Sequence, residues 1–289
     1  MSGPVVDPTA IVPVLDQWLS PRLTAEQAAW LRDRCQAVSE GDKKSLFLAF
    51  GLASRKLTKA DLALSIDEQA AAENARPGWN AETWTVDQAA RTRLLLSFPA
   101  TDGVAFVGVL DQLFAAGEMH ELIALYQSLP LLPHQPAHAL RCAEGIRTNI
   151  KAVFLAIAHH NPFPSEQLSD DQWNQLVLKC LFVGVPLDPV VGLDARANAP
   201  LAKMLTDFAH ERWAAKRPVS PELWRCVGPF ADDAMVADLE KVLTTGTEVE
   251  RQAAALSLVQ CSHARAKSLL SSCGIDLSST NWTRIAAFR

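Results

Sequence analysis

The run APLAKMLTDFAHERWAAK, residues 199–216, decides the fold class. At 100° per residue, Leu201, Met204, Leu205 and Phe208 fall on one stripe, which is the mark of an amphipathic helix. The same period extends to both sides. Upstream, Asp170–Phe182 carries Trp173, Leu176, Val177 and Cys180 on one face, and the Pro-, Gly- and Asp-rich run Gly184–Asn198 reads as a loop. Downstream, Pro221–Cys226 reads as a short helix. Asp232–Thr244, Glu248–Gln260 and His263–Ser272 read as short helices joined by brief turns.

Nearer the N-terminus, Thr24-Ala25-Glu26-Gln27 has the spacing of a capping box and opens a helix over Ala25–Val38. Helices are then expected over Asp42–Ser54, Thr58–Glu73, Glu82–Phe98, Asp102–Ala115 and Glu118–Leu129. After the Pro-rich break at 129–136, one helix is expected from Pro136 to about Ala158, and His159–Glu166 is expected to be irregular. Runs of β-branched residues are few and short. The expected class is all-α: irregular helical hairpins forming an α-solenoid or bundle, with HEAT-like helices at the C-terminal end. The small-residue run Arg251-Gln252-Ala253-Ala254-Ala255-Leu256 is the feature that suggests HEAT-like packing. A single domain over 1–289 is expected, with a possible division into an N-terminal bundle (1–130) and a motif-bearing region (131–289).

The chain has 289 residues, 49 % of them hydrophobic and 20 % charged, enough for a proper core and too apolar for disorder. A net charge of −5 argues against general nucleic-acid binding, which rests on a basic footprint. No apolar run approaches the roughly 20 residues that span a bilayer, so direct membrane insertion is not expected. The N-terminal MSGPVVDPTAIVPVLDQWL has no basic region ahead of an apolar stretch, and no secretory signal is expected. Cysteines 35, 142, 180, 226, 261 and 273 are scattered without metal-site spacing. They read as core residues of a reduced, cytoplasmic chain. The eight tryptophans, likewise dispersed, read mostly as core filling.

The sequence lacks GxGxxG, a Walker-type GK[ST], GxSxG and HExxH, so it names no catalytic residue, metal or cofactor. Polar residues gather between 159 and 230. Arg212 lies within the apolar stripe of the 199–216 helix and needs a carboxylate or carbonyls there, Asp194 being one candidate. The pair would be structural, or Arg212 would clamp a ligand's anion or carboxylate. Lys203, Asp207 and His210 share another face with Glu211 alongside. They would form a solvated or helix-to-helix contact, an acid–base pair or a metal pair. Gln172, Gln175 and Lys179 line one side of the preceding helix, with Asn174 apart. Trp224-Arg225 would pack a neighbouring helix or wall a pocket for a flat molecule. His159, His160 and Asn161 end a helix. The candidate ligand-binding set is Asn161, Asn174, Gln175, Lys179, Asp194, Arg196, Asn198, His210, Glu211, Arg212, Trp224 and Arg225.

One ordered string goes further: Asn161-Pro162, then Asp171-Gln172-Trp173-Asn174-Gln175 with Lys179-Cys180-Leu181-Phe182, then Pro186-Leu187. It continues through Gly192-Leu193-Asp194-Ala195-Arg196-Ala197-Asn198, Asp207-Phe208-Ala209-His210-Glu211-Arg212-Trp213 and Pro221-Glu222-Leu223-Trp224-Arg225. This string resembles the EboA family and covers about a quarter of the chain densely. The resemblance implies a bacterial operon that also encodes a prenyltransferase-like membrane protein and several enzyme-like proteins, and that is linked to moving secondary-metabolite precursors out of the cytoplasm. It brings no catalytic residues. The function expected is non-enzymatic: a helical-repeat binding or adaptor protein in that traffic. Its partners would be a small-molecule metabolite or operon-encoded proteins, the membrane protein being one candidate. The alternatives are an enzyme acting on a precursor, metal-assisted or not, and a pure protein-interaction scaffold.

Overall fold

A computed structural model describes residues 6–288. The first five residues, on which part of the N-terminal reading rests, and Arg289 lie outside the described residues. The described residues form sixteen α-helices and five short 3-10 helices, with no strand and one isolated β-bridge. None of these helices is long and apolar enough to cross a membrane. The chain separates into two compact units, Met1–Leu168 and Ser169–Arg289.

The first unit is built around α5. Its helices are α1 (Pro8–Leu19), α2 (Ala25–Ser39), α3 (Lys43–Lys56), α4 (Ile66–Ala75), α5 (Val86–Leu95), α6 (Gly103–Ala116), α7 (Met119–Ser128), α8 (Ala139–Gly145), α9 (Lys151–Ala158) and α10 (Phe163–Gln167). Helices α1, α2, α3 and α7 all pack on α5, so nine of its ten residues are buried, polar ones included. Burial of Arg91 is compatible with its charge because Asp87 accepts from Nη1 at 2.6 Å and the Phe50 carbonyl accepts from Nε at 3.0 Å. Thr92 and Ser128 share a hydrogen bond across the α5–α7 contact.

Local signals set several boundaries. Thr24 and Gln27 form the expected capping box, and Asp42 caps α3 through the amides of Lys44 and Ser45. Several boundaries differ from expectation. Residues 58–65 are not helical, because the Leu62 amide donates to the Trp84 carbonyl and the Val86 amide to the Ala60 carbonyl. That pairing also holds 82–85 out of a helix, so α5 starts at Val86, where Gln88 accepts from the Thr85 amide. The expected 136–158 helix is a 3-10 turn followed by two helices, α8 and α9, separated by a turn at 146–150. Gly145, ending α8, lies so close to the Tyr126 ring that a Cβ there would stand 2.4 Å from it. The His159–Glu166 stretch, expected to be irregular, contains the start of α10.

The second unit comprises α11 (Asp170–Val183), α12 (Ala199–Ala214), α13 (Asp233–Thr245), α14 (Glu248–Val259), α15 (Ala264–Cys273) and α16 (Trp282–Ala287). Helix α16 lies beyond the last helix expected from sequence, His263–Ser272. At the centre is the 3-10 helix Pro221–Cys226, whose Leu223, Trp224 and Cys226 are buried and which α12, α14 and α16 contact. Gly228 permits α14 to come close: a Cβ there would sit 2.1 Å from the Ser257 carbonyl oxygen. The Ser257 hydroxyl donates to the Trp224 carbonyl at 2.8 Å. Among the described residues no disulfide forms, and Cys142, Cys180 and Cys226 are buried.

Candidate functional site

Helix α12 buries Leu201, Ala202, Leu205, Thr206 and Ala209. Leu201 and Leu205 of the expected stripe are in this core face, but the face is rotated toward Ala202, Thr206 and Ala209, and Met204, Phe208 and Arg212 lie at its edge, half-buried. This rotation decides the fate of Arg212. Its Nε donates to the Pro218 carbonyl at 2.9 Å, and its guanidinium lies 6.0 Å from the Phe208 ring centroid. Asp194, the partner considered from sequence, is engaged elsewhere. The Nη nitrogens of Arg212 have no hydrogen-bond partner among the described residues.

Arg212 stands on the wall of a cavity of about 640 Å³ in the second unit. That size lies within the range of about 300–1,000 Å³ common for small-molecule sites. The walls come from the ends of α11 and α12, segment 218–222, the start of α14, and α16. They are mostly apolar: Val185, Phe208, Val219, Val249 and Ile285 contribute, and Arg212 provides the one guanidinium. Two carboxylates also border the cavity, and both already accept hydrogen bonds from the protein. Glu222 is 4 % exposed, and its Oε1 accepts from the amides of Leu187 and Asp188 at 2.9 and 2.7 Å. Glu250 accepts from the amide and hydroxyl of Thr247 at the head of α14. The guanidinium fork is the strongest group left to make a new bond.

The neighbouring polar residues form one support. Arg225 makes a two-pronged pair with Asp194, with Nε–Oδ1 and Nη2–Oδ2 both 2.7 Å, and its Nη1 donates to Asp188 at 2.8 Å. Burial pulls the Arg225 pKa down, and the Asp194 and Asp188 carboxylates more than offset this, so the net shift is upward. Arg225 also lies 5.9 Å from the Trp282 ring centroid at the start of α16. Arg225 and Glu222 thus fix the 187–194 loop from one short helix. Sequence reasoning singled out Arg225 and Asp194 but not Glu222. The only signal at Glu222 is a carboxylate in an apolar 3-10 helix, which does not reveal two amides 34 and 35 residues away.

The other candidates fall into place individually. Asn174 and Asn198 exchange amide hydrogen bonds of 3.1 and 2.9 Å, and Asn198 caps α12 through the Leu201 amide. Arg196 pairs with Asp170 and stacks on Trp173 at 5.1 Å. Trp224 is 1 % exposed and belongs to the core. Gln175 and Glu211 are exposed, and burial lowers the pKa of the half-buried Lys179. On α12, Asp207 pairs with Lys203 and His210 with Asp238 at 2.7 Å, so Asp207 and His210 serve separate partners. Among the described residues no three His, Cys, Asp or Glu side chains gather as a metal site. Asn161 belongs to the first unit. Its amide donates to the Tyr126 and Ala156 carbonyls and accepts from the Phe163 amide, ending α9. Burial raises the thiol pKa of Cys180, and that of Cys226 to about 12, which keeps both protonated and weakly nucleophilic near neutral pH.

Residues 11–228 match the family model described as metabolite traffic protein EboA. No curated protein and no solved structure matches the chain.

Proposed function

The chain belongs to the EboA family, and on that premise we propose that it is a non-enzymatic binding protein that holds a small metabolite during traffic of secondary-metabolite precursors. The carrying observation is the roughly 640 Å³ apolar cavity with an uncommitted guanidinium fork at its wall. An apolar body fills such a space, and an acidic group on it, a carboxylate above all, satisfies both Nη donors of Arg212 at once. In this reading Arg225, Asp194 and Asp188 shape the wall from outside the cavity, and Glu222, on the wall, is held by the Leu187 and Asp188 amides. Handing the cargo to other proteins of the same operon, the membrane protein included, belongs to the same proposal, as does a cytoplasmic location.

The test compares the native and denatured masses of freshly purified protein. A mass difference that vanishes on denaturation is the expected result, and it identifies the cargo. With that cargo, or with decanoate as a probe, Arg212→Ala should weaken binding by about 10- to 100-fold, the worth of charge-assisted hydrogen bonds. Because Arg212 makes one carbonyl bond at a half-buried position, its loss should cost under about 1 kcal/mol of stability. A clean mass together with decanoate binding indifferent to Arg212→Ala would remove the carrier reading.

A further inference from the structure

We propose, on the carrier reading of the second unit's cavity, that α16 is its lid, swinging away to admit and release the cargo and settling back between. Ile285, Ala286, Ala287 and Phe288 line one side of that cavity. The other walls belong to segments tied firmly into the unit. Helices α12 and α14 each bury a full face, and the 218–222 segment is anchored where Glu222 accepts from the Leu187 and Asp188 amides.

Segment 274–288 is held differently. It starts at Gly274, whose φ of +62° turns the chain out of α15. Among the described residues, every hydrogen bond of this segment stays inside it. Asn281 accepts from the Arg284 amide, Arg284 Nη1 donates to the Ser279 carbonyl, and the Thr280 amide donates to the Leu277 carbonyl. No ion pair among the described residues includes one of its side chains. Two contacts hold α16 down. Ile285, 1 % exposed, is the only buried residue between 274 and 288, and α16 packs on the 3-10 helix Pro221–Cys226 and on α14. The Trp282 ring meets the Arg225 guanidinium at 5.9 Å, near the outer limit for such a contact. Opening a region costs what its buried contacts and outward hydrogen bonds are worth, so this segment opens far more readily than α12 or α14. A six-residue helix adds little stability of its own. Lifting α16 removes one side of the cavity and leaves Arg212, on α12, in place.

Opening can be read without a ligand, which separates the lid from the carrier reading. Val185 and Val219 line the cavity at 4 and 7 % exposure, so a thiol placed at either position reports access. N-ethylmaleimide labelling of full-length Val185→Cys and Val219→Cys would be followed site by site by peptide mass spectrometry. Cys180 and Cys226, both 0 % exposed and outside the cavity lining, are internal controls for unfolding of the whole unit. Adding Ile285→Ala should speed labelling at 185 and 219 by at least about tenfold, as expected for loss of a buried isoleucine, with Cys180 and Cys226 unchanged. Trp282→Ala, at a half-buried position, should speed it by about two- to fivefold and covers a first variant that fails to fold. In the parent, the amides of 282–288 should exchange with solvent at least about tenfold faster than those of α14. Decanoate, once bound, should slow labelling at both positions; decanoate that does not bind counts against the carrier reading alone. Labelling that neither variant speeds, or that rises only in step with Cys180 and Cys226, would overturn the lid. So would 282–288 amides as protected as those of α14, or bound decanoate that leaves labelling unchanged.

Discussion

Replacing Glu222 with leucine should destabilise the second unit by about 2–4 kcal/mol. The figure follows from what the carboxylate does. Its Oε1 accepts two backbone amides, Leu187 N at 2.9 Å and Asp188 N at 2.7 Å, the first fully buried and the second partly so. A buried donor left without a partner costs about 1–3 kcal/mol. The full cost applies at Leu187 and a reduced one at Asp188, which regains some water. Leucine fills similar space, so little of the loss comes from packing. Glu222→Gln separates charge from geometry, because the amide oxygen can still accept both bonds. Exchanging two charge-assisted bonds for neutral ones should cost about 1–2 kcal/mol. Urea unfolding followed by tryptophan fluorescence reads both variants. With a slope of about 2 kcal/mol/M, Glu222→Leu should lower the midpoint by about 1–2 M and Glu222→Gln by about half that. Hydrogen exchange gives the local readout: the amides of Leu187 and Asp188 should exchange faster in the leucine variant while those of α13 keep their rates. Equal midpoints for the two variants, or a leucine midpoint within about 0.3 M of the parent, would refute the assignment of Glu222 as the acceptor that fixes this loop.

Gly228→Ala should cost at least about 3 kcal/mol, since the new Cβ would meet the Ser257 carbonyl oxygen at 2.1 Å and a backbone atom cannot swing aside; thermal melting checks this, and a parental melting point would contradict the packing. Arg91→Met should cost about 3–5 kcal/mol by leaving the buried Asp87 without its counter-ion and with only the Thr85 hydroxyl as donor, whereas the double change with Asp87→Leu should cost clearly less, a non-additivity that a double-mutant cycle measures. A third expectation concerns pH. Hydrogen bonds from Arg22 hold the Glu68 carboxyl down to about 2, from an ordinary 4.5. A depressed carboxyl pKa stabilises the fold above about pH 4.5, and the contribution fades as pH falls toward 2. Allowing for solvent screening it is worth about 1–2 kcal/mol, so melting of Glu68→Gln should show a shallower acid loss than the parent across that window.

The helical class and many helix starts were legible because their causes are local. A capping box joins residues three apart, and Thr24–Gln27 could be read directly from four letters. Where a distant segment intervened, local reasoning failed. The 58–73 and 82–98 helices looked continuous, but the backbone exchange between 60–62 and 84–86 removes both of their first turns. Helix α5 reads as polar, yet four packing neighbours bury almost all of it. The candidate site was legible in part. The 161–230 string pointed to the right family, and Arg212, Asp194 and Arg225 all take part in the second unit's cavity wall or its support. Their pairing was not legible: Asp194 belongs to Arg225, and Arg212 is left facing the cavity.

Sequence alone thus determined the all-α class, the main helix caps and the family resemblance, all of which depend on contacts within one turn of helix or on an ordered string of residues. The tertiary structure decided which face of α12 is buried, which carboxylate each arginine finds, and which side chains line the cavity. One residue of rotation moves a helix face by 100°, a change that leaves the apolar count of the sequence nearly the same. It nonetheless turns Arg212 from a core residue into the one guanidinium on the wall of the second unit's cavity.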